Sequence, residues 1–217
     1  MAMPSRRGPG RVAQMTVFEE AAYAQGYRCI AGLDEVGRGT LAGPVVAAAV
    51  LFRPETAITG VRDSKQLSPQ QRDSFYPIIL QEAVAVAVGM VEAAVIDQIN
   101  ILQATRLAMQ RAIEQLTVQP DYLLLDAITL PLVPIPQRPI IKGDQLSISI
   151  AAASIVAKVT RDRLMSRYHE EYPQYNFLAH KGYGTIEHRK QILEHGPCQI
   201  HRKTFRGVCD VDQLFPL

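Results

Sequence analysis

Four acidic side chains, Asp34, Glu35, Asp126 and Asp144, stand where an apolar or glycine-marked segment ends. Asp34 and Glu35 close Cys29-Ile-Ala-Gly-Leu33, Asp126 closes Tyr122-Leu-Leu-Leu125, and Asp144 follows Lys142-Gly143 ahead of a long helical pattern. A carboxylate held against a core is unfavourable unless something positive meets it. Four around one cavity repel each other unless divalent cations neutralise them. Oxygen donors with no suitable histidine nearby select magnesium or manganese. Two such ions about 4 Å apart would activate a water and stabilise the leaving oxygen of a phosphodiester. Taken singly, each acid has an ordinary reading: a strand-terminal aspartate closing a loop, or Asp144 capping its helix. The joint pattern makes the case for a metal.

Gly37-Arg38-Gly39 follows the first two acids at once. Glycines on either side of an arginine bare the backbone N–H groups and let a ligand come close. Side chains alternate along a strand, so Asp34 and Glu35 face one ligand only if the chain turns there, and Gly37 and Gly39 are expected to supply that turn.

These groups need elements to carry them. Thr16 to Gln25 reads as a short helix, Arg28 to Leu33 as a strand and Pro44 to Phe52 as a second strand, apolar on both faces and so buried within a sheet. Ser68-Pro69 marks an N-cap with proline at N1, opening a helix toward Leu80. A third strand is expected over Ala83 to Val91, one long helix over Val95 to Leu116, and a fourth strand over Tyr122 to Leu125. Leu130 to Pro139 holds four prolines and is expected to be irregular, with a short strand over Arg138 to Ile141. Leu146 to Tyr172 and Ile186 to Glu194 read as helices, the latter stopped by Gly196-Pro197. This order predicts an α/β fold, a central mixed β-sheet flanked by helices.

At 217 residues and 47% hydrophobic, the chain can bury one substantial core, expected over 16–217 after a disordered tail over 1–15. The net charge of +2 permits nucleic-acid binding without arguing for it. Cys29, Cys198 and Cys209 form no disulfide framework, as suits a cytoplasmic location. His195, Cys198, His201 and Cys209 fit none of the usual zinc spacings and read as free thiols and surface histidines. No segment has the length and apolarity of a transmembrane helix.

In ordered blocks, the chain resembles the type 2 ribonuclease H family, ribonuclease HII in its prokaryotic form. The blocks are Ala31 to Gly39 with Leu41-Ala-Gly-Pro-Val45; Asp63-Ser-Lys65 with Leu67; Leu123 to Asp126; Lys142-Gly-Asp144; Ala151 to Lys158 with Arg161-Asp162; His180 to Thr185 with His188; and His201-Arg202 with Phe205. The resemblance implies a ribonuclease H-like fold with a small helical C-terminal part, working as a monomer. It implies endonucleolytic hydrolysis of RNA in RNA–DNA hybrids and cleavage 5′ of ribonucleotides embedded in duplex DNA, leaving 3′-hydroxyl and 5′-phosphate ends. It assigns metal binding and catalysis to Asp34, Glu35, Asp126 and Asp144, with magnesium or manganese in a two-metal mechanism. Substrate binding is assigned to Gly37, Arg38, Gly39, Lys65, Ser154 and Tyr183, the glycine turn reading the ribose 2′-hydroxyl and Tyr183 packing on the following deoxyribose. Lys65 and Ser154 would meet phosphates. The chain departs from the family in three places: Thr40 stands where proline is frequent, Asp126-Ala-Ile128 replaces aspartate-glycine-asparagine, and the Leu130 to Pro139 loop is proline-rich.

Two other classes were weighed. A dinucleotide-binding enzyme needs G-x-G-x-x-G opening a helix, whereas Gly43 comes one residue late and a strand follows. A non-catalytic hybrid-binding module would have no use for four carboxylates in a phosphate channel. The tail Gln213-Leu-Phe-Pro-Leu217 loosely resembles peptides that dock on sliding clamps as partners, but the match is partial and an apolar end folding back on the domain is the favoured reading.

Overall fold

The computed structural model describes residues 15–56, 58, 60–61 and 66–210. The expected N-terminal tail up to residue 14, Lys65 and the clamp-like tail lie outside the described residues.

Among these residues the strands β1 (Ile30–Val36), β2 (Val45–Leu51), β3 (Ala85–Val91), β4 (Tyr122–Asp126) and β5 (Gln137–Ile140) form one sheet in the order β3-β2-β1-β4-β5. The β1–β2 and β2–β3 pairs are antiparallel, and β1–β4 and β4–β5 are parallel. The helices are α1 (Val17–Ala24), α2 (Pro69–Glu82), α3 (Ala93–Glu114), α4 (Ile148–Glu171), α5 (Phe177–His180) and α6 (Ile186–His195). Every residue of β2 is buried because α3 covers one face of the sheet and α4 the other. One apolar cluster joins Leu33, Ala47, Leu123 and Leu125 to Ala104, Ala108 and Ala112 of α3. The opposite cluster joins Val46, Ala48 and Val50 to Ala151, Ala152 and Ala153 of α4. The α4 backbone presses so close to β1 that a Cβ on Gly32 would stand 2.2 Å from the Ser149 carbonyl carbon.

The helix boundaries follow the capping chemistry. Ser68 accepts from the Gln71 N–H while the Gln71 side chain accepts from the Ser68 N–H, a reciprocal cap with Pro69 at the first helical position. Ser147 caps α4 and its hydroxyl donates to Glu19 of α1, 2.6 Å away, so α1 fastens the end of the helix nearest Asp144.

Two expectations need correction. The strand does not stop at Leu33 but runs through both acids to Val36, since β2 pairs with it as far as Val46. The helix read as continuous over Val95 to Leu116 is broken at Asn100, whose φ is 64° and whose Oδ1 accepts from the Leu102 and Gln103 N–H groups, re-capping the second half. The short strand expected over Arg138 to Ile141 is present as β5, with Pro139 as its third residue; an edge strand tolerates a missing N–H.

Candidate active site

Two neighbouring parallel strands deliver the first two acids. The β1–β4 register pairs Leu33 with Leu125, so Asp34 and Asp126 are the next residues on adjacent strands, at their carboxyl ends. The third, Asp144, rides on a single 3₁₀ turn, Gly143–Gln145, just before α4. Asp126 anchors that turn through its Oδ1, which accepts from the Gly143 N–H at 2.8 Å. One carboxylate oxygen from each of Asp34, Asp126 and Asp144 lies within 4.8 Å of the others, the one such group of potential metal ligands among the described residues.

Glu35 stands outside this trio. Its Oε1 lies 3.2 Å from Arg38 Nη1, and its charge still bears on the Asp34 carboxyl. Asp34 and Asp144 are almost wholly buried. Burial pushes the Asp34 carboxyl well above the usual carboxylate range, and the charges of Glu35 and Asp126 push it further. The Ser154 hydroxyl and the Glu35 N–H, 2.7 Å from Oδ1, bond to it and hold it partly back. Ser154, on α4, is thus buried with its hydroxyl on a candidate metal ligand.

Crowded carboxylates with oxygen as their only donor atom suit a hard divalent cation, and a cation among them would reverse the electrostatic cost borne by Asp34. The donor set fits magnesium or manganese.

Beside the acids, the chain from Gly37 to Pro44 is held by two buried arginines. Arg202 donates to the carbonyls of Gly37 at 2.6 Å, Arg38 at 2.8 Å and Gly43 at 2.9 Å. Arg161 donates to the carbonyls of Pro44, Ala42 and Lys181 and to the Thr40 hydroxyl. The Thr40 hydroxyl in turn donates to the Gly37 carbonyl at 3.0 Å, a bond that proline at this position could not make. In a trans peptide the N–H points opposite to the C=O. Pinning the Gly37 and Arg38 carbonyls inward on Arg202 therefore turns the N–H groups of Arg38 and Gly39 outward. Gly37 is required at its own position: its φ is 89°, and a Cβ there would meet Arg161 Nε at 2.3 Å. Tyr183 pairs with Thr40 in an isolated bridge and leaves its ring 42% exposed beside the turn, with Lys158 Nζ 6.0 Å from the ring centroid.

The residues matched by the family model for ribonuclease HII run from 31 to 208, enclosing every group just described. The chain belongs to the ribonuclease HII family. It is 57% identical over 198 residues to the ribonuclease HII of Bacillus pumilus, covering 91% of this chain and 78% of that one. With the ribonuclease HII of Geotalea uraniireducens it shares 57% identity over 88% of both chains. The crystal structure of ribonuclease H2 from Pyrococcus horikoshii superposes with a TM-score of 0.70 at 26% identity, covering 86% of this chain and 98% of that one. The molecule is thus a type 2 ribonuclease H with the ribonuclease H-like fold. Among its described residues no helix is long and apolar enough to cross a membrane.

Arg161 and Arg202 lie in the family-like blocks of the sequence, which by themselves give neither a role. Arg161 was legible: Ala153, Ala157, Arg161 and Met165 recur every four residues, placing it on the buried stripe of α4. Arg202 carries no such signal, because its partners are backbone carbonyls more than 150 residues away. His201, expected at the surface, is 1% exposed, because its ring is packed among Tyr175, Phe177 and His188.

A further departure carries a measurable consequence. Ala127 follows Asp126 with φ at 54°, a left-handed conformation that strains any residue with a Cβ. Ala127→Gly should relieve roughly 1–2 kcal/mol of strain, partly offset by the entropy of an unfolded glycine. A thermal melt should show a midpoint raised by a few degrees with cleavage retained; a lowered midpoint would contradict the strain.

Proposed function

We propose that this ribonuclease HII hydrolyses the RNA strand of RNA–DNA hybrids and cuts 5′ of ribonucleotides embedded in duplex DNA, leaving 3′-hydroxyl and 5′-phosphate ends. The observation that carries this reading is one juxtaposition: a cluster of three buried or half-buried aspartates beside a turn whose N–H groups face outward. Asp34, Asp126 and Asp144 hold the divalent ions, with Ser154 orienting Asp34 and the Gly143 N–H orienting Asp126. Glu35 joins them as the fourth ligand by leaving Arg38, which supplies a rotatable side chain rather than a fixed strut. Bound magnesium or manganese would supply a water of lowered pKa and neutralise charge on the scissile phosphate. The outward N–H groups of Arg38 and Gly39 meet the ribose 2′-hydroxyl, the group that separates RNA from DNA. The half-exposed ring of Tyr183 packs on the neighbouring sugar.

Incubation with a duplex carrying a single ribonucleotide, with and without divalent metal, tests the reading. Cleavage 5′ of the ribonucleotide that requires the metal is the expected result; cleavage elsewhere, or equal cleavage in chelator, would overturn it. Gly39 offers a sharper probe. A Cβ at Gly39 would meet nothing within 4 Å, and its φ lies outside the left-handed range. Gly39→Ala should therefore leave the melting temperature unchanged or slightly raised, by under about 1 kcal/mol. A methyl group standing where the sugar must approach should raise KM for the single-ribonucleotide duplex severalfold. An unchanged KM would remove the Gly39 backbone from the substrate contact.

A further inference from the structure

Behind Tyr183 lies a buried run of imidazoles that the proposed chemistry does not use. His188 Nδ1 is 2.8 Å from the Tyr183 carbonyl, His188 Nε2 is 3.0 Å from His201 Nε2, and His201 Nδ1 is 3.0 Å from the Cys198 backbone N–H. The partners fix where each proton sits. A carbonyl only accepts, so His188 carries its proton on Nδ1 and leaves Nε2 bare. His201 must then donate from Nε2, which leaves its Nδ1 free to accept from Cys198. The assignment closes with one proton per ring. Both imidazoles are neutral, burial holding His188 down to about 3 and His201 down to about 4. His180 stacks on His188 with centroids 4.3 Å apart, and accepts the Gly182 N–H on its own Nδ1 at 3.2 Å.

Tyr183 stands between two glycines, Gly182 with φ at 86° and Gly184, in a turn where its N–H donates to the His180 carbonyl and its own carbonyl accepts from the Thr185 N–H. His188 adds a side-chain donor to the same Tyr183 carbonyl, aimed from the buried side, and the Thr40 bridge flanks the residue on the other. His201 also adjoins Arg202, whose guanidinium holds the glycine turn. The two halves of the substrate-reading surface therefore share one buried support.

We propose that His188 is a positioning residue for substrate recognition: its Nδ1–H on the Tyr183 carbonyl sets the Tyr183 ring at the distance from the Gly37–Gly39 turn that one sugar step requires. The inference rests on the reading of Tyr183 as a sugar contact. It distinguishes two substitutions of similar size and polarity. In His188→Asn the amide nitrogen takes the place of Nδ1 and keeps the donor to Tyr183. In His188→Gln the amide reaches toward His201, the place of Nε2, and the Tyr183 carbonyl keeps only the Thr185 N–H.

Steady-state cleavage of a duplex with a single ribonucleotide, in manganese, tests this across His188→Asn, His188→Gln, Tyr183→Ala and the double variant of the last two. Tyr183→Ala should raise KM; no change there would reject the reading of Tyr183, and this inference with it. Given that rise, His188→Gln should raise KM on the order of tenfold with kcat little changed, as expected when a positioned contact loosens. His188→Asn should stay near wild type, and His188→Gln should add nothing in the Tyr183→Ala background. Equal losses in Asn and Gln variants that track their melting temperatures, or a full additional loss in the double variant, would reduce His188 to a packing residue. Should a variant fail to fold, nitrogen-15 NMR of the wild-type imidazole decides: an Nδ1–H tautomer supports the proposal and an Nε2–H tautomer overturns it.

Discussion

Asp34→Asn is expected to abolish cleavage and, in the same protein, to raise the melting temperature measured without divalent metal. The loss of activity should reach at least roughly a thousandfold, because a ligand to the ions that neutralise the scissile phosphate contributes several kcal/mol at the transition state. The gain in stability has the opposite origin. Asp34 is buried and crowded by Glu35 and Asp126, so its folded-state pKa lies above the ordinary value of 3.8. A group raised in this way binds its proton more tightly folded than unfolded, so metal-free stability falls as pH rises from 3.8 through the folded-state value. Asparagine keeps the shape and can bond Ser154 but carries no charge, so the midpoint near neutral pH should rise by a few degrees, on the order of 1 kcal/mol. Manganese should raise the wild-type midpoint and leave that of the variant nearly unchanged. Calorimetry with and without chelator checks both arms, and a variant that melts lower than wild type without metal would contradict the account.

Arg202→Ala should produce the largest loss of stability of any change away from the acids. Its guanidinium satisfies the carbonyls of Gly37, Arg38 and Gly43 in a region closed to water, and its face lies over the Phe205 ring. Removing it strands several buried acceptors, so a loss of about 3–5 kcal/mol and a midpoint lowered by roughly 10 °C are expected. Arg202→Lys separates support from charge. An ammonium retains the charge without the planar fork, so it cannot hold three carbonyls at their present angles. It should recover part of the stability while KM for a ribonucleotide-containing duplex remains raised. A lysine variant with wild-type KM would show that the turn is shaped without Arg202.

The acids were legible in sequence because each ends an apolar strand or precedes a helix, and strand ends are where adjacent parallel strands bring residues together. That logic placed Asp34, Asp126 and Asp144 in one group. It expected a turn at the acids, whereas pairing with β2 carries the strand onward and leaves Glu35 beside Arg38. Most helices and strands were legible from apolar spacing and from the Ser68-Pro69 cap. The break at Asn100 was not, since the apolar pattern of α3 runs on through it. What sequence could not display was the support of the glycine turn. Arg202, Arg161 and Thr40 act through backbone carbonyls, and a carbonyl has no side chain to signal its need for a donor. His201 was misread for a related reason: its partner is a neighbouring imidazole, which spacing does not reveal.

The central claim is that aspartates from β1, β4 and the turn before α4 bind the ions that cut the phosphodiester. Anomalous diffraction from crystals soaked in manganese addresses it without an assay. The account predicts a peak among the carboxylates of Asp34, Asp126 and Asp144, about 2.0–2.2 Å from at least two of them, and its loss in Asp126→Asn. A manganese ion bound elsewhere, with these three carboxylates unliganded, would contradict it.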